Sequence, residues 1–225
     1  QGAIAHGDKY KMSVHWNGGQ GERIPAYANR VIQNPETYVF DAQAWQPEKP
    51  FEWTDHGFEV KKGTHLIYEA HIGMSGESEG IASFNDFREK VLPHVIETGY
   101  DVLQLMAIQE HPYYGSFGYH VSNFFAVSSR FGTPEDLKQL INEAHAAGIA
   151  VIMDIVHSHA VKNENEGISR LDGSTDLYFH YGDRGNHPAW DSRCFNYGKL
   201  ETQRFLLSNV RYWIEEFHFA GYRFD

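Results

Sequence analysis

An arginine and an aspartate stand two positions apart in the closing run Gly221-Tyr222-Arg223-Phe224-Asp225. Their apolar surroundings read as a buried β-strand, and side chains two apart on a strand point to the same face. Arg223 and Asp225 are therefore expected to be neighbours, and a guanidinium beside a carboxylate favours the anion. A fixed anionic carboxylate is what covalent catalysis asks of a nucleophile. The same pair could also be a structural ion pair at a strand end. A second apolar run, from Val151 to Ile155, contains Asp154 and leads straight into Val156-His157-Ser158-His159. Two strand ends of this kind point to one shared site. Another chemistry open to these types is zinc hydrolysis, since His157 and His159, two apart on an extended segment and near Asp154, could share an ion. Such metal barrels usually place the pair after their first strand, whereas here it follows the third.

The elements that must position these groups alternate between strand and helix. Leu66 to Ala70 reads as a first strand. Ser83 caps a helix in which Phe84, Phe87, Val91 and Val95 recur at helical spacing, with Gly99 as its stop. Val102 to Ile108 is a second strand. Thr133-Pro134-Glu135-Asp136 offers an N-cap, a first-turn proline and first-turn acids to a helix with a stripe of Leu137, Leu140, Ile141 and Ala144, stopped by Gly148. Ile149 to Ile155 is a third strand, and a helix from about Thr202 to Phe217 leads into the fourth at Gly221. Alternation with nearly all-apolar strands implies a parallel sheet with right-handed crossovers. No glycine-rich phosphate loop follows any strand, which counts against a doubly wound nucleotide fold. Acids at strand C-terminal ends suit the active-site face of a (β/α)8 barrel. The fold class is thus α/β, the N-terminal half of such a TIM barrel with about four strands.

The chain divides into 1-36, the end of a β-sandwich carbohydrate-binding-like module; 37-64, a connector; and 65-225, the half barrel. The connector holds Tyr38, Phe40, Trp45, Phe51 and Trp53 with prolines at 47 and 50, too many aromatics for a loose linker, so it should pack against a neighbour. The 225 residues carry a formal charge of -11, which argues against nucleic acid or an anionic membrane as main partner. Cys194 is the only cysteine, leaving no disulfide framework and favouring a cytoplasmic setting. There is no apolar run long enough to span a bilayer. A start at Gln1 and a stop on Asp225 read as a fragment.

Several motifs together resemble the glycogen and starch branching enzymes of the α-amylase superfamily. They are Tyr68-Glu69-Ala70-His71-Ile72-Gly73-Met74-Ser75, Tyr114-Gly115-Ser116-Phe117-Gly118-Tyr119-His120, Arg130-Phe131-Gly132-Thr133-Pro134-Glu135-Asp136-Leu137, Asp154-Ile155-Val156-His157-Ser158-His159, Trp190-Asp191-Ser192-Arg193-Cys194-Phe195-Asn196-Tyr197-Gly198, and the closing run. The resemblance implies retaining glycosyl transfer, with Asp225 attacking C1 of an α-1,4-glucan and a sugar 6-hydroxyl replacing water as acceptor. It implies that Asp154 is the counter-charge that positions Arg223, that His159 donates to sugar hydroxyls, and that Tyr119 is an aromatic platform. Tyr119 could also be an ordinary core aromatic, and His157 reads better as a packing histidine. Trp190, Asp191 and Arg193 could line the glucan groove or merely hold the long loop together. Ser158 stands where many α-amylases have a calcium-holding asparagine, so no metal and no cofactor is expected. The general acid is expected beyond Asp225, leaving this stretch inactive alone. The implied partners are α-1,4-glucans (amylose, glycogen, amylopectin chains), in the cytoplasm or, in a plant, the plastid. An α-amylase-type hydrolase and a non-catalytic glucan-binding protein remain as alternatives.

Overall fold

The computed structural model describes residues 4–225, so the first three residues of the expected 1-36 module lie outside the described part. Five short strands open it: β1 (Lys9–Tyr10), β2 (Met12–Trp16), β3 (Gly19–Arg23), β4 (Val31–Gln33) and β5 (Phe40–Gln43). β2 and β3 form a hairpin, and β1, β5 and β4 form an antiparallel sheet in that order. The sheet thus runs on to Gln43, past the 36/37 boundary drawn from sequence. Its reason is the burial of Phe40 and Ala42 with Ile24, Ala28 and Val31 in one small core that also takes Ala126 from later in the chain.

The remainder is built on one parallel sheet. Its strands are β6 (Ile67–Ala70), β7 (Val102–Leu105), β10 (Ala150–Ile155) and β14 (Gly221–Phe224), in spatial order β14-β10-β7-β6. Helices α1 (Phe84–Lys90), α2 (Leu92–Glu97), α3 (Pro134–Ala146) and α4 (Leu200–Phe217) connect them. The single helix expected after Ser83 is two, because Pro93 cannot donate the backbone bond that would carry one helix through. The expected strand at 102–108 ends at Leu105. The chain then leaves the sheet to form β8 (Gln109–Glu110), which pairs with a fully buried β9 (Asn123–Val127), a hairpin the sequence did not reveal. The long loop after β10 carries a second small sheet of β11 (His159–Val161), β13 (Ser192–Cys194) and β12 (Asn186–His187).

Local chemistry explains the helices. Ser83 and Thr133 each accept a hydrogen bond from the N3 backbone amide, while the Asp86 and Asp136 carboxylates accept one from the cap residue's own backbone N–H, so both starts are capping boxes. One face of the parallel sheet, carrying Leu103, Leu105, Val151, Met153 and Ile155, packs with Phe84, Phe87, Leu137, Leu140, Ile141 and Trp213 in the main core. The opposite face is left for polar groups.

The connector is clamped to this body. Trp45 donates its indole N–H to Glu135 (2.7 Å), and the Trp53 ring stacks on His218 with centroids 3.8 Å apart. Asp55 Oδ2 accepts from His145 Nδ1 on α3 and from His218 Nδ1 after α4, each at 2.8 Å. Among the described residues no helix is long and apolar enough to cross a membrane.

Candidate active site

Register alone brings the site together. In the parallel pairs Glu69 lies opposite Gln104, Gln104 opposite Ile152, and Asp154 opposite Arg223. Residues two apart share a face, so Glu69, Gln104, Asp154, Arg223 and Asp225 all project from the side away from the helices, at or near the C-terminal ends of four neighbouring strands.

Their side chains are joined. Arg223 Nη1 donates to Asp225 Oδ1 at 2.6 Å and lies 3.6 Å from Asp154 Oδ2. Asp154 is fully buried. Its Oδ2 accepts from the Tyr119 hydroxyl (2.8 Å) and its Oδ1 from the Gln104 amide (2.9 Å). Burial pushes the Asp154 carboxyl above the usual carboxylate range; Tyr119 and Arg223 pull it back, while Glu69 and Asp225 add to the rise. The hydrogen bond to Asp225, and then the charge of Asp154, hold the Arg223 guanidinium still more firmly protonated. Burial, then the Asp154 carboxylate that its hydroxyl bonds, push the Tyr119 phenol up, so it stays a donor at any ordinary pH.

Tyr119 is aimed by the backbone before it. Phe117 is left-handed (φ 54°) and Gly118 has φ 91°. A Cβ on Gly118 would sit 1.9 Å from the Ala107 carbonyl oxygen, so no other residue fits that approach. His159 braces the same tyrosine: its Nε2–H donates to the Tyr119 carbonyl (2.9 Å), and its Nδ1 accepts from the Ser158 hydroxyl (2.8 Å). This differs from the expectation that His159 donates to a sugar, because both ring nitrogens are already engaged. Burial lowers its pKa and keeps the ring neutral.

The other expected site residues fall into two groups. Trp190 joins the cluster through His159, ring centroids 5.1 Å apart, and its half-exposed indole stacks on His187 at 4.0 Å. Asp191 instead pairs with Lys162 (2.8 Å), and Arg193 donates to Ser169 (2.5 Å), both within the long loop. His157 is buried and shares a bond with Asn209 Oδ1 on α4 (2.9 Å), so its ring and that of His159 serve different partners rather than one ion. Gln104 and Glu69 are polar members that sequence reasoning missed. The available signal was their polarity inside strands, at positions where the neighbouring strand residues are apolar.

A half-exposed cation held between a buried and a partly exposed carboxylate, with an aromatic hydroxyl beside it, suits one task above others. Such an arrangement can hold a carboxylate oxygen in place for attack on an electrophilic carbon. The alpha-amylase catalytic-domain family matches residues 74–195, more than half of the chain. The chain belongs to the alpha-amylase family. Within that family it is 52% identical, over 99% of its length, to a protein of Dictyostelium discoideum named 1,4-alpha-glucan-branching enzyme. It is 47% identical, over 99% of its length, to one of the same name from Saccharomyces cerevisiae. It spans about a third (33%) of the length of each of these relatives. The catalytic-domain fold extends to a pullulanase type I of Bacillus subtilis solved with maltose, which superposes with a TM-score of 0.79 at 22% identity over 98% of this chain and 35% of the other. The expected α/β fold and the expected alpha-amylase kinship are both met.

Proposed function

We propose that the protein containing this chain is a 1,4-α-glucan branching enzyme acting by retaining double displacement. The observation that carries the reading is the single guanidinium, Arg223, held between buried Asp154 and Asp225 at the C-terminal edge of the sheet. A carboxylate oxygen of Asp225 attacks C1 of an α-1,4-linked glucose as the bond from C1 to the leaving O4 breaks. The leaving oxygen takes a proton from a carboxylic acid that we assign to the rest of the protein. That acid, now ionised, then accepts the proton of a glucan 6-hydroxyl as this oxygen attacks C1 and Asp225 departs as carboxylate. The result is an α-1,6 branch. Asp154 positions Arg223, Tyr119 and Trp190 offer aromatic faces to sugar rings, and His159 fixes Tyr119. Asp191 and Arg193 enter as loop-stabilising rather than sugar-touching groups.

The half-barrel reading of 65-225, the connector at 37-64 and the β-sandwich end at 1-36 belong to the same proposal, with β5 carrying the sandwich end to Gln43. Supporting it are the all-parallel strand order and the polar inner face. The substrate class follows: chains of amylose, amylopectin or glycogen. Transfer is preferred to hydrolysis because these relatives, matched over almost the whole chain, carry the branching name. Incubating the full-length protein with amylose should yield new α-1,6 linkages with few new reducing ends. Reducing ends without branches would overturn the transferase reading.

A further inference from the structure

A polar chain crosses all four strands of the sheet, and its middle link is neither an acid nor a base. Gln104 sits on β7 between Glu69 on β6 and Asp154 on β10. Its one amide nitrogen donates to Asp154 Oδ1 at 2.9 Å and to Glu69 Oε1 at 3.2 Å. An amide nitrogen has two N–H groups, and here both are spent on carboxylate oxygens. The amide cannot be turned over, because its carbonyl would then face two acceptors. We propose that Gln104, oriented by Glu69, is a positioning residue that keeps buried Asp154 ionised and aimed at Arg223, and so sets the geometry of Asp225. The inference rests on the functional reading above.

The reasoning is electrostatic. Asp154 has no solvent contact, and every oxygen it owns must find a donor inside the protein. Oδ2 has Tyr119 and Arg223; Oδ1 has only Gln104 among the described side chains. The charged or titratable groups facing it are Glu69 from β6, Tyr119 from the loop before β9, Arg223 from β14 and Asp225 directly after it. Counting Asp154 itself, three of these five participants are acids, and the one fixed cation, Arg223, pairs with two of them, Asp154 and Asp225. A neutral donor at 104 serves two of them without adding charge. A leucine there would leave Oδ1 unserved, and a glutamate would add a fourth acid to the cluster.

The test uses the full-length protein and reads branching against pH. Gln104→Leu should lower kcat roughly ten- to hundredfold, as loss of a hydrogen bond to a buried charge implies, with KM little changed. Its acid limb should move to higher pH, because an unserved Asp154 takes a proton more readily. Gln104→Glu should keep activity at the acid end, where a protonated side chain can still donate, and lose it as pH rises and a new anion faces Glu69 and Asp154. A circular-dichroism melt within a few degrees of the parent separates positioning from misfolding. If both variants branch with the parent's kcat and the parent's pH limbs, or if KM alone moves, the inference is overturned. If the parent itself makes no α-1,6 links, it is the functional reading that fails, whatever the variants do.

Discussion

Tyr119 joins the two parts of the site, since its hydroxyl serves Asp154 and its backbone carbonyl holds His159. Replacing it by phenylalanine removes only the first of these. The donor lost is one to a buried charge, worth roughly 1.5–3 kcal/mol, so Tyr119→Phe should cut kcat by about one to two orders of magnitude. The hydroxyl favours the anion of Asp154, so its loss raises that carboxyl further and activity should fail at a higher pH on acidification. KM should hold for Tyr119→Phe, which keeps the ring proposed to stack on sugar, and rise for Tyr119→Ala; steady-state kinetics of the full-length protein on amylose across pH 5–8 checks both. The acids and histidines of this cluster were legible in the sequence because their types announce chemistry at strand ends. Gln104 and Glu69 were missed: their polarity among apolar strand neighbours was a signal, but only register sets Gln104 between two carboxylates. His159 and Tyr119 were both found, but the bond between them was not. Only the fold reveals that a carbonyl forty residues earlier takes its N–H.

The connector was legible as an ordered segment from its aromatics, but what it holds was not. One carboxylate, Asp55, ties it to the last turn of α3 through His145 and to the left-handed residue after α4 through His218. Burial alone would raise the Asp55 carboxyl, yet the bonds from His218 and His145 outweigh it and hold its pKa low. Burial lowers the pKa of His145 more than Asp55 raises it, so the folded form keeps that ring neutral. Both signs agree. An unfolded histidine binds protons below about 6.5 while the folded one resists, so stability falls as pH drops through that range. Asp55 adds a second loss as pH falls below about 3.8, the ordinary carboxylate value. Between pH 7.5 and 5.5 the segment 45–62 should therefore become more open to protease while the core around Trp213 does not. Asp55→Asn, which removes the anion that both imidazoles bond, should open it already at pH 7.5 and cost roughly 1–3 kcal/mol. Limited proteolysis with mass mapping of the cuts decides the point; equal cutting at both pH values and in the variant would refute the clamp. The starts of α1 and α3 were legible, since capping boxes are local, whereas α4 has no side-chain cap and begins two residues before the expected start. The break at Pro93 was missed because an apolar stripe continues across it, and β8 and β9 were missed because a hairpin pairing across a bulge leaves no period in the sequence.

Among the described residues the parallel sheet ends on β6 at one side and β14 at the other, each with a single neighbour. Beside those edges Leu66, Ile67 and Phe224 expose 60%, 49% and 61% of their surface, well above what strand residues of a filled barrel would show. Two open edges with apolar side chains form a template for pairing with another copy. The helix-facing side of the same sheet is a complete core and should fold, so association is expected to proceed from a structured state. The chain of 225 residues, expressed by itself, should therefore give far-UV circular dichroism typical of mixed helix and strand, yet elute above its 25.8 kDa mass and associate further as concentration rises. A lysine on an edge strand blocks pairing by placing an unmatched charge in the interface, so Ile67→Lys together with Phe224→Lys should shift the elution toward the monomer without loss of secondary structure. Multi-angle light scattering on the two forms measures this directly. A monodisperse parent with a sharp cooperative melt would mean that the edges are satisfied within one copy. In that case the four strands would not be an open half of a larger closed sheet.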